Sequence, residues 1–132
     1  MTGNKQRILV VDDDQTVRAS LHRVLETDGF EVEEATSGVE AVAKLEGCGY
    51  SLIFLDLRMP NLGGLTVLQH VRSQCPGIPV VVMTGFVSLN NAKESIELGA
   101  FDFLLKPLDA PQIRSVVSRA LDSRSWTAER RL

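Results

Sequence analysis

Three runs of unbroken aliphatic residues constrain what this chain can fold into: ILVV at Ile8 to Val11, LIFL at Leu52 to Leu55 and VVVM at Val80 to Met83. None alternates with polar residues, so neither face of such a strand can look into water. Strands of this kind belong in a parallel sheet covered on both sides. Each run is followed at once by a polar residue: Asp12, Asp56 and Thr84 respectively.

With these runs as anchors, five strands are predicted, at Arg7 to Val11, Phe30 to Ala35, Ser51 to Leu55, Pro79 to Met83 and Phe101 to Leu105. Helical spacing fills the gaps, clearest for Val17, Leu21, Val24 and Leu25 and for Ile113, Val116, Val117, Ala120 and Leu121. Gly29 and Gly99 stand just past the first and fourth helices, where a left-handed residue commonly ends a helix. The fold class is therefore α/β, a (βα)5 doubly wound five-stranded parallel sheet. The fourth helix, near Leu89 to Leu98, has only a thin apolar face of Leu89, Ala92 and Ile96 and is predicted to be loosely held. Residues 1–124 are read as one domain and residues 125–132 as a C-terminal tail or the start of a linker, with Trp126 inside it.

A chain of 132 residues can bury a core of its own without a disulfide or structural metal. Its net charge of -3 comes with no basic stripe, which argues against direct nucleic-acid binding. No apolar run approaches the roughly 18 residues of a membrane span, and no signal-like segment precedes the first strand, so a cytoplasmic location is expected. Cys48 and Cys75 lack CxxC spacing and are read as a reduced pair. His22 and His70 have no partners at ligand spacing and are read as surface or half-buried side chains.

In an open parallel α/β sheet, ligands bind outside the carboxyl ends of the strands. Those ends carry Asp12 and Asp13, Asp56, Thr84, and Lys106 followed by Pro107. Carboxylates held this close repel one another unless a cation joins them. Mg²⁺ suits such a set because it keeps several waters and binds through one or two carboxylates together with phosphate oxygens. Lys106 and Thr84 can hold the oxygens of a transferring phosphoryl group. Asp14, one residue beyond the pair, suits a cap on the first helix. A cis bond before Pro107 would aim Lys106 inward.

The motifs VVDDD, LDLRMP, VVVMTG and FDFLLKP, in that order from Arg7 to about Arg124, resemble the receiver domain of response regulators in two-component signalling. The resemblance implies the flavodoxin-like strand order 2-1-3-4-5, which the handed-down family pattern supplies and periodicity does not. It implies that Asp56 is the phosphoacceptor, receiving a phosphoryl group from a sensor histidine kinase, in a signalling domain that promotes its own phosphorylation and dephosphorylation. It further implies Mg²⁺, or Mn²⁺ in its place, held by Asp12, Asp13, Asp56 and the backbone carbonyl of Arg58. Lys106 would pair with phosphoryl oxygens, and Thr84 with Phe103 would form the switch that reshapes the surface of the fourth helix, fifth strand and fifth helix. The implied partners are the kinase, an output domain or downstream protein that controls transcription, and a second copy on phosphorylation. The sequence departs from the family where MPNLGG puts Gly63 in place of an acidic residue, which predicts a weaker cap on the third helix.

Two other classes compete. DDDQTV also resembles the first motif of haloacid-dehalogenase-type phosphohydrolases, with Asp12 as nucleophile and Asp14 as general acid and base, but that reading leaves Asp56 without a role. A pure interaction module would have no need for the complete set Asp12, Asp13, Asp56, Thr84 and Lys106.

Overall fold

The computed structural model describes residues 5–59, 62–85 and 89–130, with side chains excepted at 89–90 and 124–130. Five strands and five helices alternate: β1 Arg7–Val11, α1 Gln15–Thr27, β2 Glu31–Ala35, α2 Gly38–Lys44, β3 Leu52–Asp56, α3 Gly64–Gln74, β4 Val80–Thr84, α4 Leu89–Glu97, β5 Asp102–Leu105 and α5 Ala110–Arg130. All strand pairs are parallel, in the order β2-β1-β3-β4-β5. This is the doubly wound topology expected from the resemblance.

The continuous apolar runs are explained by two cores, one on each face. Leu9, Val11, Ile53, Leu55, Val80 and Val82 point to the side of α2 and α3, where Ala41, Val67, Leu68 and Val71 meet them. Ile8, Val10, Leu52, Phe54, Val81 and Met83 point to the other, under Leu21 and Leu25 of α1 and Ile113, Val116 and Val117 of α5. Alternate residues of one strand thus enter different cores, which is why no position in the run tolerates a polar side chain. The edge strand β2 is acidic instead. Its Glu33 pairs with Arg7 and accepts a hydrogen bond from Tyr50 Oη at 2.8 Å. Glu34 takes Arg18 Nε at 3.0 Å and His22 Nδ1 at 2.7 Å.

Several expectations are sharpened or corrected. Strands β3 and β4 sit one residue further along the chain than predicted, starting at Leu52 and Val80 rather than Ser51 and Pro79, so that Asp56 and Thr84 are their last members rather than the residues after them. Gly29 and Gly99 do adopt positive φ, at 93° and 95°. α5 continues through Arg130, over residues read as a tail, because Asp122 to Arg130 contains neither proline nor glycine to end it. The side chain of Trp126 lies outside the described residues. Among the described side chains of α4 the buried residue is Ser95, while Ile96 is 51% exposed; the side chain of Leu89, the first residue of the predicted apolar face, lies outside the described residues.

His22 does have carboxylate partners: Glu34 across the chain and Glu26 one helical turn away at 3.4 Å. The largest correction concerns the cysteines. Cys48, in the turn after α2, and Cys75, at the end of α3, are joined in a disulfide with their Cα atoms 5.6 Å apart. A separation of 27 residues matches no local motif, so only the packing of α2 beside α3 reveals the pair.

Candidate functional site

The carboxyl ends of β1, β3 and β5 bring together Asp12, Asp13, Asp56 and Lys106, and β4 ends on Thr84 at the same edge of the sheet. β1 stops at Val11, and the backbone N–H of Asp12 donates to the Ala35 carbonyl at 3.1 Å, turning the chain so that Asp12 is fully buried while Asp13 remains exposed. Asp14 leaves this group. Its carboxylate accepts from Thr16 N at 2.9 Å and caps α1, as its position suggested. Its own N–H donates to Asp12 Oδ1 at 2.9 Å, which fixes one oxygen of that carboxylate.

Asp56, 3% exposed, presents Oδ1 to the Arg58 N–H at 3.2 Å. One carboxylate oxygen from each of Asp12, Asp13 and Asp56 lies within 4.8 Å of the others. Lys106 closes the set from β5, with Nζ 2.6 Å from Asp12 Oδ2 and 3.4 Å from Asp56 Oδ2. Its backbone N–H is anchored to the Thr84 carbonyl at 2.8 Å, and the Lys106–Pro107 bond is cis. Thr84 itself is buried at the end of β4 and paired in register with Leu105. Phe103, half-buried, lies opposite Val82 and packs on the α2/α3 core.

The electrostatics follow from this packing. Burial pushes the Asp56 carboxyl above its usual range, and the Asp12 charge adds to this; the Arg58 N–H and Lys106 oppose it without winning. Burial alone would lower the Lys106 ammonium. The Asp12 contact and the charges of Asp56 and Asp12 outweigh it, and the group is held above its ordinary value. Lys106 therefore stays a cation.

A divalent cation fits the donors present. Asp12 Oδ2 is buried without a directional hydrogen bond, since Lys106 Nζ stands beside it as an ion pair but outside hydrogen-bonding geometry. Among the described residues, three carboxylates gather around the Lys106 ammonium, so negative charge is in excess at a site of oxygen donors. That is the donor chemistry of Mg²⁺ and Mn²⁺.

Two glycines set how closely the neighbouring helices approach. A Cβ on Gly64, at the start of α3, would stand 2.4 Å from the Asp56 carbonyl oxygen. A Cβ on Gly38, at the start of α2, would stand 2.4 Å from the Leu62 carbonyl oxygen. The N-cap of α3 is Gly63, with no side-chain hydrogen bond, as the sequence predicted. Sequence reasoning missed Arg18, whose Nη1 donates to the Asp12 carbonyl at 2.7 Å and so braces the turn that buries Asp12. The signal was faint: one arginine on an amphipathic helix.

Comparison with known proteins converges on one family. The response regulator receiver domain model matches residues 8–118. The transcriptional regulatory protein ZraR of Klebsiella oxytoca is 36% identical over 121 residues, covering 92% of this chain and 27% of that protein. The alginate biosynthesis transcriptional regulatory protein AlgB of Pseudomonas aeruginosa is 37% identical over 128 residues, covering 96% of this chain and 28% of that protein. The chain thus spans about a quarter of the length of these relatives. Among solved structures, a CheY-like response regulator receiver domain protein from Methanospirillum hungatei JF-1 superposes with a TM-score of 0.90 at 31% identity, covering 94% of this chain and 99% of that one. The receiver domain of NtrX from Brucella abortus gives a TM-score of 0.82 at 34% identity, covering 87% and 98%.

Proposed function

Because the chain belongs to the response regulator receiver family, we propose that Asp56 accepts a phosphoryl group from the phosphohistidine of a sensor histidine kinase and that the resulting acyl phosphate switches an output. The observation that carries this reading is the convergence on Asp56 of two further carboxylates within 4.8 Å and of Lys106 Nζ at 3.4 Å. A carboxylate buried at a strand end, beside groups that neutralise phosphoryl charge, is the arrangement a phosphoacceptor requires.

In the transfer an Asp56 oxygen attacks phosphorus, the bond to the histidine nitrogen breaks, and its electron pair leaves with the imidazole. Water later attacks the same phosphorus, the bond to the Asp56 oxygen breaks with its electron pair returning to the carboxylate, and inorganic phosphate leaves. Asp12, Asp13, Asp56 and the Arg58 carbonyl would hold Mg²⁺ or Mn²⁺, which supplies charge neutralisation to the phosphoryl oxygens. Lys106 exchanges its contact with Asp56 for one with a phosphoryl oxygen, keeping Asp12 as counter-charge. The Thr84 hydroxyl takes a second oxygen, and the Phe103 ring follows into the space that Thr84 vacates. That movement acts on α4, β5 and α5, where Ile96 and Leu105 are each 51% exposed and Arg119 pairs with Asp102 at 3.0 Å. This face is the surface for an output domain or a second copy, and the similarity to the transcriptional regulatory proteins ZraR and AlgB favours a transcriptional output. A shallow groove of Thr16, Val17, Pro107, Leu108 and Ile113 beside Lys106 offers the kinase a seat next to the acceptor. Cytoplasmic residence follows from the kinase's phosphodonor.

The test is intact mass after incubation with acetyl phosphate and Mg²⁺. One phosphoryl group is expected on the native chain and none on Asp56→Asn or after chelation. Retained single-site labelling of Asp56→Asn would remove Asp56 from this role. Continuous phosphate release without an adduct would favour the phosphohydrolase, although Asp14 is committed to capping α1 and is poorly placed as its acid and base.

A further inference from the structure

The Cys48–Cys75 disulfide joins the turns that lead into β3 and β4, at the opposite end of those strands from Asp56 and Thr84, and the function described above does not use it. α2 and α3 run side by side on one face. Their starts bear on the site: Gly38 abuts Leu62 and Gly64 abuts Asp56. Their far ends are held together by the disulfide. The two sulfurs differ in access. Cys75 is 3% exposed, whereas Cys48 is half-buried in the turn Gly47-Cys48-Gly49. Cys48 also lines an open groove of about 560 Å³ together with Val42, Leu45, His70 and Gln74.

We propose that Cys48 and Cys75 form a reversible thiol–disulfide site, operated by small-molecule thiols, that clamps or frees the far ends of α2 and α3. The proposal rests on the phosphotransfer reading in one respect: it places the chain in a compartment where thiols are kept reduced and persistent disulfides are rare. An accessible disulfide there exchanges with its surroundings. The groove admits a small thiolate to Cys48 Sγ. As the new sulfur–sulfur bond forms, the Cys48–Cys75 bond breaks, and its electron pair leaves on Cys75 Sγ, which takes up a proton. A second small thiolate attacks the small-molecule sulfur of the mixed disulfide and expels Cys48 as thiolate. Two small thiols are oxidised to one disulfide while the two protein sulfurs are reduced. An oxidised small-molecule disulfide drives the same steps backwards, because the fold keeps the two Cα atoms within bonding reach.

Reduction removes the only covalent tie between the turn after α2 and the end of α3. The helices remain packed through Ala41, Val67 and Val71, so the effect is local opening rather than unfolding. The experiment equilibrates the native chain in buffers running from excess reduced to excess oxidised glutathione, then alkylates free thiols and records intact mass. Both forms are expected, crossing over while reduced glutathione is still in excess. Amide exchange in residues 45–49 and 73–78 should then quicken several-fold in the reduced form, with β3 unchanged. A bond that survives the largest excess of reduced glutathione is a fixed staple and overturns the proposal. So does failure to oxidise at any ratio, or identical exchange in the two forms. Cys48→Ser, at a half-exposed turn, should fold, stay permanently in the fast-exchanging form and ignore glutathione. Acetyl phosphate labelling of both forms separates the two claims: loss of labelling with intact thiol exchange counts against the receiver reading, and normal labelling without exchange counts against this one.

Discussion

Lys106 holds two carboxylates at once, and the two contacts are unequal. The one with Asp12 is 2.6 Å and wholly buried on the acid's side; the one with Asp56 is 3.4 Å. Replacing Lys106 with alanine therefore strands a buried charge and should lower the metal-free unfolding free energy by about 3 kcal/mol. Mg²⁺ affinity should persist, since the carboxylates remain, while the spectral response to acetyl phosphate expected of the native chain should be lost. Denaturant titration, metal titration and phosphorylation-induced fluorescence or circular dichroism measure the three separately, and an intact spectral response would remove Lys106 from the switch. A second residue-scale effect involves His22. Its hydrogen bond to Glu34, aided by Glu26 and against some desolvation, holds the imidazolium above its ordinary value. A raised folded-state value stabilises fully below about pH 6.5, the unfolded histidine value, and its contribution fades as pH rises through the folded value. With the side chain one-third exposed, solvent screening limits this to about 1 kcal/mol or less. Urea curves at about pH 5.5 and about pH 8.5 should therefore show native protein losing more stability with rising pH than His22→Gln. Parallel curves for the two proteins would show that the pair contributes nothing.

Among the elements, α3 couples the site to the rest of the fold most tightly, because its first residue, Gly64, has no room for a side chain. A Cβ at Gly64 would meet the Asp56 carbonyl oxygen at 2.4 Å and the Leu57 Cα at 2.6 Å, both backbone atoms that cannot swing aside. Gly64→Ala should cost about 1–3 kcal/mol and displace the end of β3, slowing acetyl phosphate labelling of Asp56 more than it weakens Mg²⁺ binding. Gly63→Ala is the control, since a Cβ there meets nothing within 4 Å. Equal labelling rates in the two variants would refute the close-approach argument. Elements were legible in the sequence to the extent that local pattern determines them. Strands β1, β3 and β4 announced themselves through apolar runs that two cores demand, and Asp14 announced the start of α1. What local pattern does not determine was hidden. The end of α5 lacked a breaker, Ser95 rather than Ile96 is buried in α4, and the disulfide depends on α2 and α3 lying side by side. Glu34 is invisible from His22 until β2 is laid against α1, although Glu26 at helical spacing could have been found.

At the scale of the whole molecule, the parallel sheet collects charge at one edge, and the fold tolerates that charge at some cost. Asp12, Asp13 and Asp56 were identifiable as a set because a parallel sheet sends all its carboxyl ends the same way. Their mutual distances, and the solvent exposure of Asp13 alone among them, required the tertiary structure. That exposure makes Asp13 the residue whose removal tests the site without damaging the core. Without metal, Asp13→Asn relieves repulsion within a cluster that Lys106 only partly neutralises, and should raise stability by about 1 kcal/mol, the scale of a water-screened pair at such distances. With Mg²⁺ at about a hundred times its dissociation constant, the native chain should gain about 2.7 kcal/mol, because the ion binds the folded state alone. Asp13→Asn should gain far less. The order of stability therefore reverses on adding metal and reverts on chelation, which paired denaturation curves in MgCl2 and in EDTA would read directly. No simple packing role for Asp13 produces such a reversal: loss of a structural contact would destabilise the variant in both buffers, and an inert surface residue would change neither.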